Sequence, residues 1–93
     1  PLLINQIYAF TYNENRYGGR RMKLCDIKMG DNAIVTNVNA SGLLNERLLS
    51  LGFIPGNIVS VVKRERKQLS MYEVSKTLIA LRSEESQLIE VSF

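Results

Sequence analysis

Apolar residues recur along the chain with two different periods. Ala33 to Val38 alternates, and Ile34, Thr36 and Val38 are expected on one face of a strand. Between Leu43 and Leu51 the spacing turns helical: at 100° per residue Leu44, Leu48 and Leu51 fall within an arc of about 60°, a core-facing stripe. Ser41 is placed to cap that helix by accepting a hydrogen bond from the first turn. Gly52 is its expected stop, since a left-handed residue beyond a helix end is cheap only without a Cβ. Pro55-Gly56 predicts a type II turn, with Pro55 supplying φ and Gly56 the positive φ that follows. The β-branched run Ile58 to Val62 then opens a long strand reaching Glu65. Arg66-Lys67-Gln68 reverses it, and strands over 71–75, 77–81 and 88–93 follow, with one helical turn at Ser83–Ser86.

Before this domain, Met22 to Ile27 reads as a short first strand or extended arm, ended by the turn-rich Lys28-Met29-Gly30-Asp31. Residues 1–21 differ in character. Tyr17-Gly18-Gly19-Arg20-Arg21 precedes Met22-Lys23-Leu24, which looks like a natural protein start. We read 1–21 as a leader outside the functional domain, either translated upstream sequence or an addition, and 22–93 as the domain. The competing reading is an N-terminal strand covering a sheet edge, because Tyr8 to Tyr12 alternates. Several short strands with one early helix predict a mainly β fold: a small barrel whose closure leaves few unpaired edges.

Ninety-three residues support one modest core. The net charge of +3 resides mainly in the leader. From Met22 onward nine basic residues face eight acidic ones, too even a balance for a strong nucleic-acid footprint. No apolar run is long enough to span a bilayer, and one cysteine fits a reducing, cytoplasmic setting.

The chain has no histidine, which removes the side chain best suited to proton transfer near neutral pH and excludes a cysteine–histidine nucleophile. The expectation is a protein that is not an enzyme. Cys25 reads first as a small apolar filler, with a metal or redox role as its alternative. Glu84 and Glu85 are candidate donors to a hard or borderline cation, although adjacent residues on a helical turn project apart and read more simply as solvated acids. The cluster Lys63, Arg64, Arg66 and Lys67 is the candidate nucleic-acid patch. Interrupted by Glu65 and supported by Tyr72 alone, it reads instead as a solvated hairpin tip. On the helix, Leu49 points about 100° away from Leu48 and off the core stripe. It reads first as a surface residue, or it could join Phe53 or Leu43 in a partner-binding patch, because exposed apolar clusters mark interfaces.

Ordered motifs carry a resemblance. Leu24, Ile27 and Gly30-Asp31 precede a strand; Arg47-Leu48, Leu51-Gly52-Phe53 and Pro55-Gly56 follow; then come Ile79-Ala80-Leu81-Arg82, Glu84-Glu85 and Ile89-Glu90-Val91. Over Met22 to Phe93 this resembles the ferrous iron transport protein A (FeoA) family. The resemblance implies an SH3-like barrel that serves as a cytosolic accessory of FeoB, a membrane GTPase permease for ferrous iron. On that adaptor reading the helix and its adjoining loops face the partner, and Leu43, Arg47, Leu49 and Phe53 are the expected contacts, with pairing to an acid or satisfying helix carbonyls as the alternative role of Arg47. It supplies no metal ligand set, so Fe(II) or another divalent cation stays open as a ligand, with Cys25, Glu84 and Glu85 as the donors to test. The same domain type ends iron-dependent repressors, so a metal-responsive sensor is one alternative and a small nucleic-acid binder another. An exposed strand edge could also pair two copies into a weak homodimer.

Overall fold

The computed structural model describes residues 22–65 and 69–93. The predicted leader and the reversal with Arg66 and Lys67 lie outside the described residues. The remaining elements are β1 (Met22–Lys23), a 3-10 turn (Leu24–Asp26), β2 (Asn32–Val38), α1 (Gly42–Ser50), β3 (Ile58–Glu65), β4 (Leu69–Val74), β5 (Thr77–Arg82), α2 (Ser83–Ser86) and β6 (Ile89–Ser92). All ladders are antiparallel, and the six strands form one sheet in the order β1-β6-β2-β3-β4-β5.

Alternation places Val59 and Val61, Tyr72 and Val74, Ile79 and Leu81, and Ile89 and Val91 in a single core with Leu24, Ile27, Ala33 and Val35. Leu48 enters that core from α1, with Leu44 and Leu51 packed at its margin, as the helical stripe predicts. Strand β2 departs from expectation. Its pairing with β6 shifts between Val35 and Asn37, a bulge that turns Val38 to the core side opposite Ile89 and away from the face of Ile34. Closure is also incomplete. α2 packs against both β5 and the 3-10 turn after β1, bringing the ends of the sheet together. Yet among the described residues β1 and β5 do not pair, and β5 keeps one strand neighbour.

The end of α1 is a Schellman arrangement. Phe53 N–H donates to Leu48 C=O at 3.1 Å and Gly52 N–H to Leu49 C=O at 3.0 Å, with Gly52 at φ +113°. Leu48 and Phe53, the paired apolar positions of that motif, are both fully buried. The next turn follows its prediction: Asn57 N–H reaches Ile54 C=O at 2.9 Å, and Gly56 has φ +102°. At the other end of the helix Ser41 occupies the N-cap position, but its side chain makes no capping bond, contrary to expectation.

Arg64 departs further from the hairpin-tip reading. Instead of fanning into solvent it lies half-buried, its guanidinium donating to Ser70 Oγ at 3.0 Å and to the carbonyls of Leu24 and Ile27. It also stands 5.9 Å from the centre of the Tyr72 ring. A guanidinium offers five donors in a fixed fork, so one side chain can fasten the end of β3 to the turn after β1.

Two stability experiments check this account. A Cβ at Gly52 would sit 3.2 Å from Ser75 Oγ and 3.4 Å from a Val74 methyl, in backbone that L-residues rarely adopt. Gly52→Ala is expected to cost about 2 kcal/mol, a fall in melting temperature of roughly 10 °C by calorimetry. Arg64→Met keeps the aliphatic stem and removes the donors that meet the Leu24 and Ile27 carbonyls. It should cost about 2 kcal/mol in urea unfolding, whereas a solvated tip residue would cost almost nothing.

Candidate functional interaction surface

Beside α1 the structure opens a groove of about 360 Å³, lined by Asn37, Val38, Ala40, Asn45, Leu49, Ile54 and Pro55. The bulged end of β2 supplies one wall, α1 the second, and the Pro55-Gly56 turn the third. Asn45 and Leu49 reach it together because residues four apart share a helix face. Leu49, predicted off the core stripe, is half-buried and lines this groove. Leu43, on the first turn of α1, is 82% exposed. Leu43 does not line the groove; at 100° per residue it stands about 120° round the helix from Leu49, so α1 offers an exposed leucine on one flank and an apolar concavity on the other.

Phe53 does not belong to this surface. It is fully buried and meets Tyr72 edge-on, with ring centres 6.5 Å apart and planes at 86°. Its position directly after the left-handed glycine, where the Schellman motif packs it against Leu48, is the physical reason for the correction.

Arg47 takes the role held as its alternative: Nη1 donates to Glu85 Oε2 at 2.7 Å and so joins α1 to α2. Glu85 also accepts the Arg82 backbone N–H at 3.0 Å through its other oxygen. That backbone bond first, and the Arg47 guanidinium second, hold the carboxyl below the usual glutamate range. Glu84 remains exposed.

The metal candidates are not assembled into a site. Among the described residues no three His, Cys, Asp or Glu side chains converge on one point. Cys25 is half-buried, not a core filler, with its Sγ 3.7 Å from Asp26 Oδ1. Burial, and then the Asp26 carboxylate, push its thiol up, which disfavours the thiolate that binds metals. Of the basic cluster Lys63 is exposed and Arg64 is turned inward, while Arg66 and Lys67 lie outside the described residues. Asn37, Val38, Ala40, Ile54 and Pro55 were not foreseeable as one surface, because three separate elements bring them together. Only Asn45 had a sequence signal, its four-residue offset from Leu49.

The Glu85 contacts have a pH signature. A carboxyl depressed on folding stabilises fully above its unfolded value, and that contribution disappears as pH falls through the folded value. Glu85→Ala should therefore lower the melting temperature by roughly 5 °C at pH 7, about 1 kcal/mol, with the gap to wild type closing on acidification below about pH 4. Arg47→Ala should change it far less, because the Arg47 side chain is 56% exposed.

Comparison with known proteins agrees with this architecture. The FeoA domain family matches residues 22–92. A Fe(2+) transport protein A of Campylobacter jejuni is 38% identical over 72 residues, covering 76% of this chain and 97% of that protein. A fusion of Fe(2+) transport protein A with the Fe(2+) transporter FeoB, from Porphyromonas gingivalis, is 30% identical over 71 residues. There the match covers 75% of this chain but only 8% of the fusion protein. The crystal structure of Stenotrophomonas maltophilia FeoA complexed with zinc, described as an SH3 domain protein, superimposes with a TM-score of 0.68 at 28% identity, covering 75% of this chain and 88% of that one. The fold is accordingly mainly β and SH3-like, and by sequence and architecture together the chain belongs to the FeoA family, whose members are tied to ferrous iron transport.

Proposed function

We propose that the chain is a cytosolic accessory of a FeoB-like ferrous iron permease and acts as an adaptor through the α1 surface. The observation that carries this reading is the fusion protein, in which a stretch similar to this chain shares one polypeptide with FeoB. Covalent linkage of that kind raises the effective concentration of two partners and suits domains that work together. No helix among the described residues is long and apolar enough to cross a membrane, so the adaptor reaches the membrane through its partner. Leu43 and Leu49 supply the apolar contacts, and the Arg47–Glu85 pair holds α1 in the orientation that presents them.

A metal-responsive sensor is the second reading, favoured by the zinc complex of the Stenotrophomonas relative. It fits this chain less well, because among the described residues its candidate donors do not converge and burial pushes the Cys25 thiol up. The nucleic-acid reading weakens with the inward turn of Arg64.

A pull-down of the permease's cytosolic domain by the full chain tests the adaptor reading. Wild type should bind, and Leu43→Asp with Leu49→Asp should weaken capture at least tenfold, since each places a charge in an apolar contact. Failure of wild type to bind would sink the adaptor reading. Undiminished binding by the double variant would sink the placement on α1.

A further inference from the structure

The tight turn between β4 and β5 determines which side of β5 faces outward. Val74 pairs with Thr77 across the two-residue loop Ser75-Lys76, and both loop residues have positive φ, the geometry of a type I′ hairpin. In such a hairpin the residues flanking the loop form a hydrogen-bonded pair, and pairing then alternates. Thr77, Ile79 and Leu81 therefore direct their N–H and C=O groups toward β4. Leu78, Ala80 and Arg82 direct theirs toward the open edge. The end of the strand confirms the phase: Arg82 N–H is taken by Glu85 Oε1 at 3.0 Å, and Arg82 C=O by Ser86 Oγ at 3.3 Å. Helix α2 thus closes the edge at Arg82 and leaves the four main-chain groups of Leu78 and Ala80 without a strand partner among the described residues.

The usual protections of an edge are missing here. From Thr77 to Leu81 there is no charge, proline or glycine, and the register with β4 runs without a bulge. Leu78 is 57% exposed, and Ala80 beside it is exposed as well. We infer that this edge is a self-association surface, on which a second copy of the chain pairs antiparallel with Ile79 opposite the partner's Ile79. This register alone uses all four free groups on each copy: Leu78 exchanges two hydrogen bonds with the partner's Ala80, and Ala80 two with the partner's Leu78. Shifting the centre to Ala80 would oppose Leu78 to Arg82, whose groups are already taken by α2. The donor–acceptor pattern is complementary to itself, and on the outer face each large Leu78 side chain meets a small Ala80. That self-complementarity selects a second copy over an unrelated strand. The ends of the paired segment bring Arg82 near the partner's Lys76, so the contact tightens when salt screens them.

Sedimentation of the full chain over a concentration series, combined with residue-resolved hydrogen exchange, tests the inference. Wild type should show a monomer–dimer equilibrium that strengthens with salt. Leu78 and Ala80 amides should gain protection as concentration rises, while Thr77, Ile79 and Leu81, already bonded to β4, should not change. Ala80→Pro removes one edge donor per copy without touching the β4 ladder, so the dissociation constant should rise about 30-fold, as two lost hydrogen bonds imply. Leu78→Lys, a surface change that spares the core, should abolish dimer at an unchanged melting temperature. A monomer at every concentration would overturn the inference, as would a dimer that survives both variants. Leu78 and Ala80 amides protected equally at all concentrations would do the same, by showing that the chain's own remaining residues cover the edge.

Discussion

At Gly52 the backbone passes through φ +113°, and from that residue the helix end, the following turn and the β4–β5 hairpin are stitched together. Its carbonyl accepts from Asn57 Nδ2 at 2.8 Å, and the same amide reaches Ser75 Oγ at 3.3 Å. The absent Cβ leaves room for Val74 and Ser75 to close over the helix end. A left-handed residue here sends Phe53 inward and lets Pro55-Gly56 aim the chain into β3. Gly56 N–H then donates to Val35 C=O at 2.8 Å, and Val35 N–H to Asn57 C=O at 2.9 Å, so the turn is also tied to β2. The groove beside α1 exists because this connection holds the Pro55 turn against the bulged end of β2.

What could be read along the chain was what local chemistry decides. The helical stripe, the glycine stop, the Pro55-Gly56 turn and the β-branched strands depend on near neighbours, and they stand where the periodicity placed them. Phe53, Arg64 and Thr36 depend on what lies across the fold. Phe53 has the composition of an interface residue, yet the Schellman packing takes it inside. Arg64 belongs to a charged run, yet carbonyls about 40 positions earlier draw it inward. The bulge at Thr36 leaves no mark in the alternation and shows only in the pairing with β6. For the candidate site, Leu43 and Leu49 were legible as apolar residues off the core stripe. Within the groove only Asn45 shared a legible signal with Leu49; Asn37, Val38, Ala40, Ile54 and Pro55 were not legible, since no single element contains them.

The groove is lined by apolar and amide side chains, and outside it the ion pair Arg47 with Glu85 joins the two helices. A rigid barrel with an apolar concavity and an exposed leucine is suited to recognising a shape. Because its lining is drawn from β2, α1 and the Pro55 turn, the groove is only as rigid as the joints among those elements.

Among the described residues strand β1 contributes two to the sheet, pairing Met22 with Val91 and Lys23 with Glu90. The guanidinium of Arg64 supplies a second attachment by gripping the carbonyls of Leu24 and Ile27. That grip adds to a two-residue ladder and holds the turn that carries Leu24 and Ile27 into the core. A side chain near the far end of a hairpin therefore fixes where the turn after β1 sits, from a position some 40 residues away in the chain.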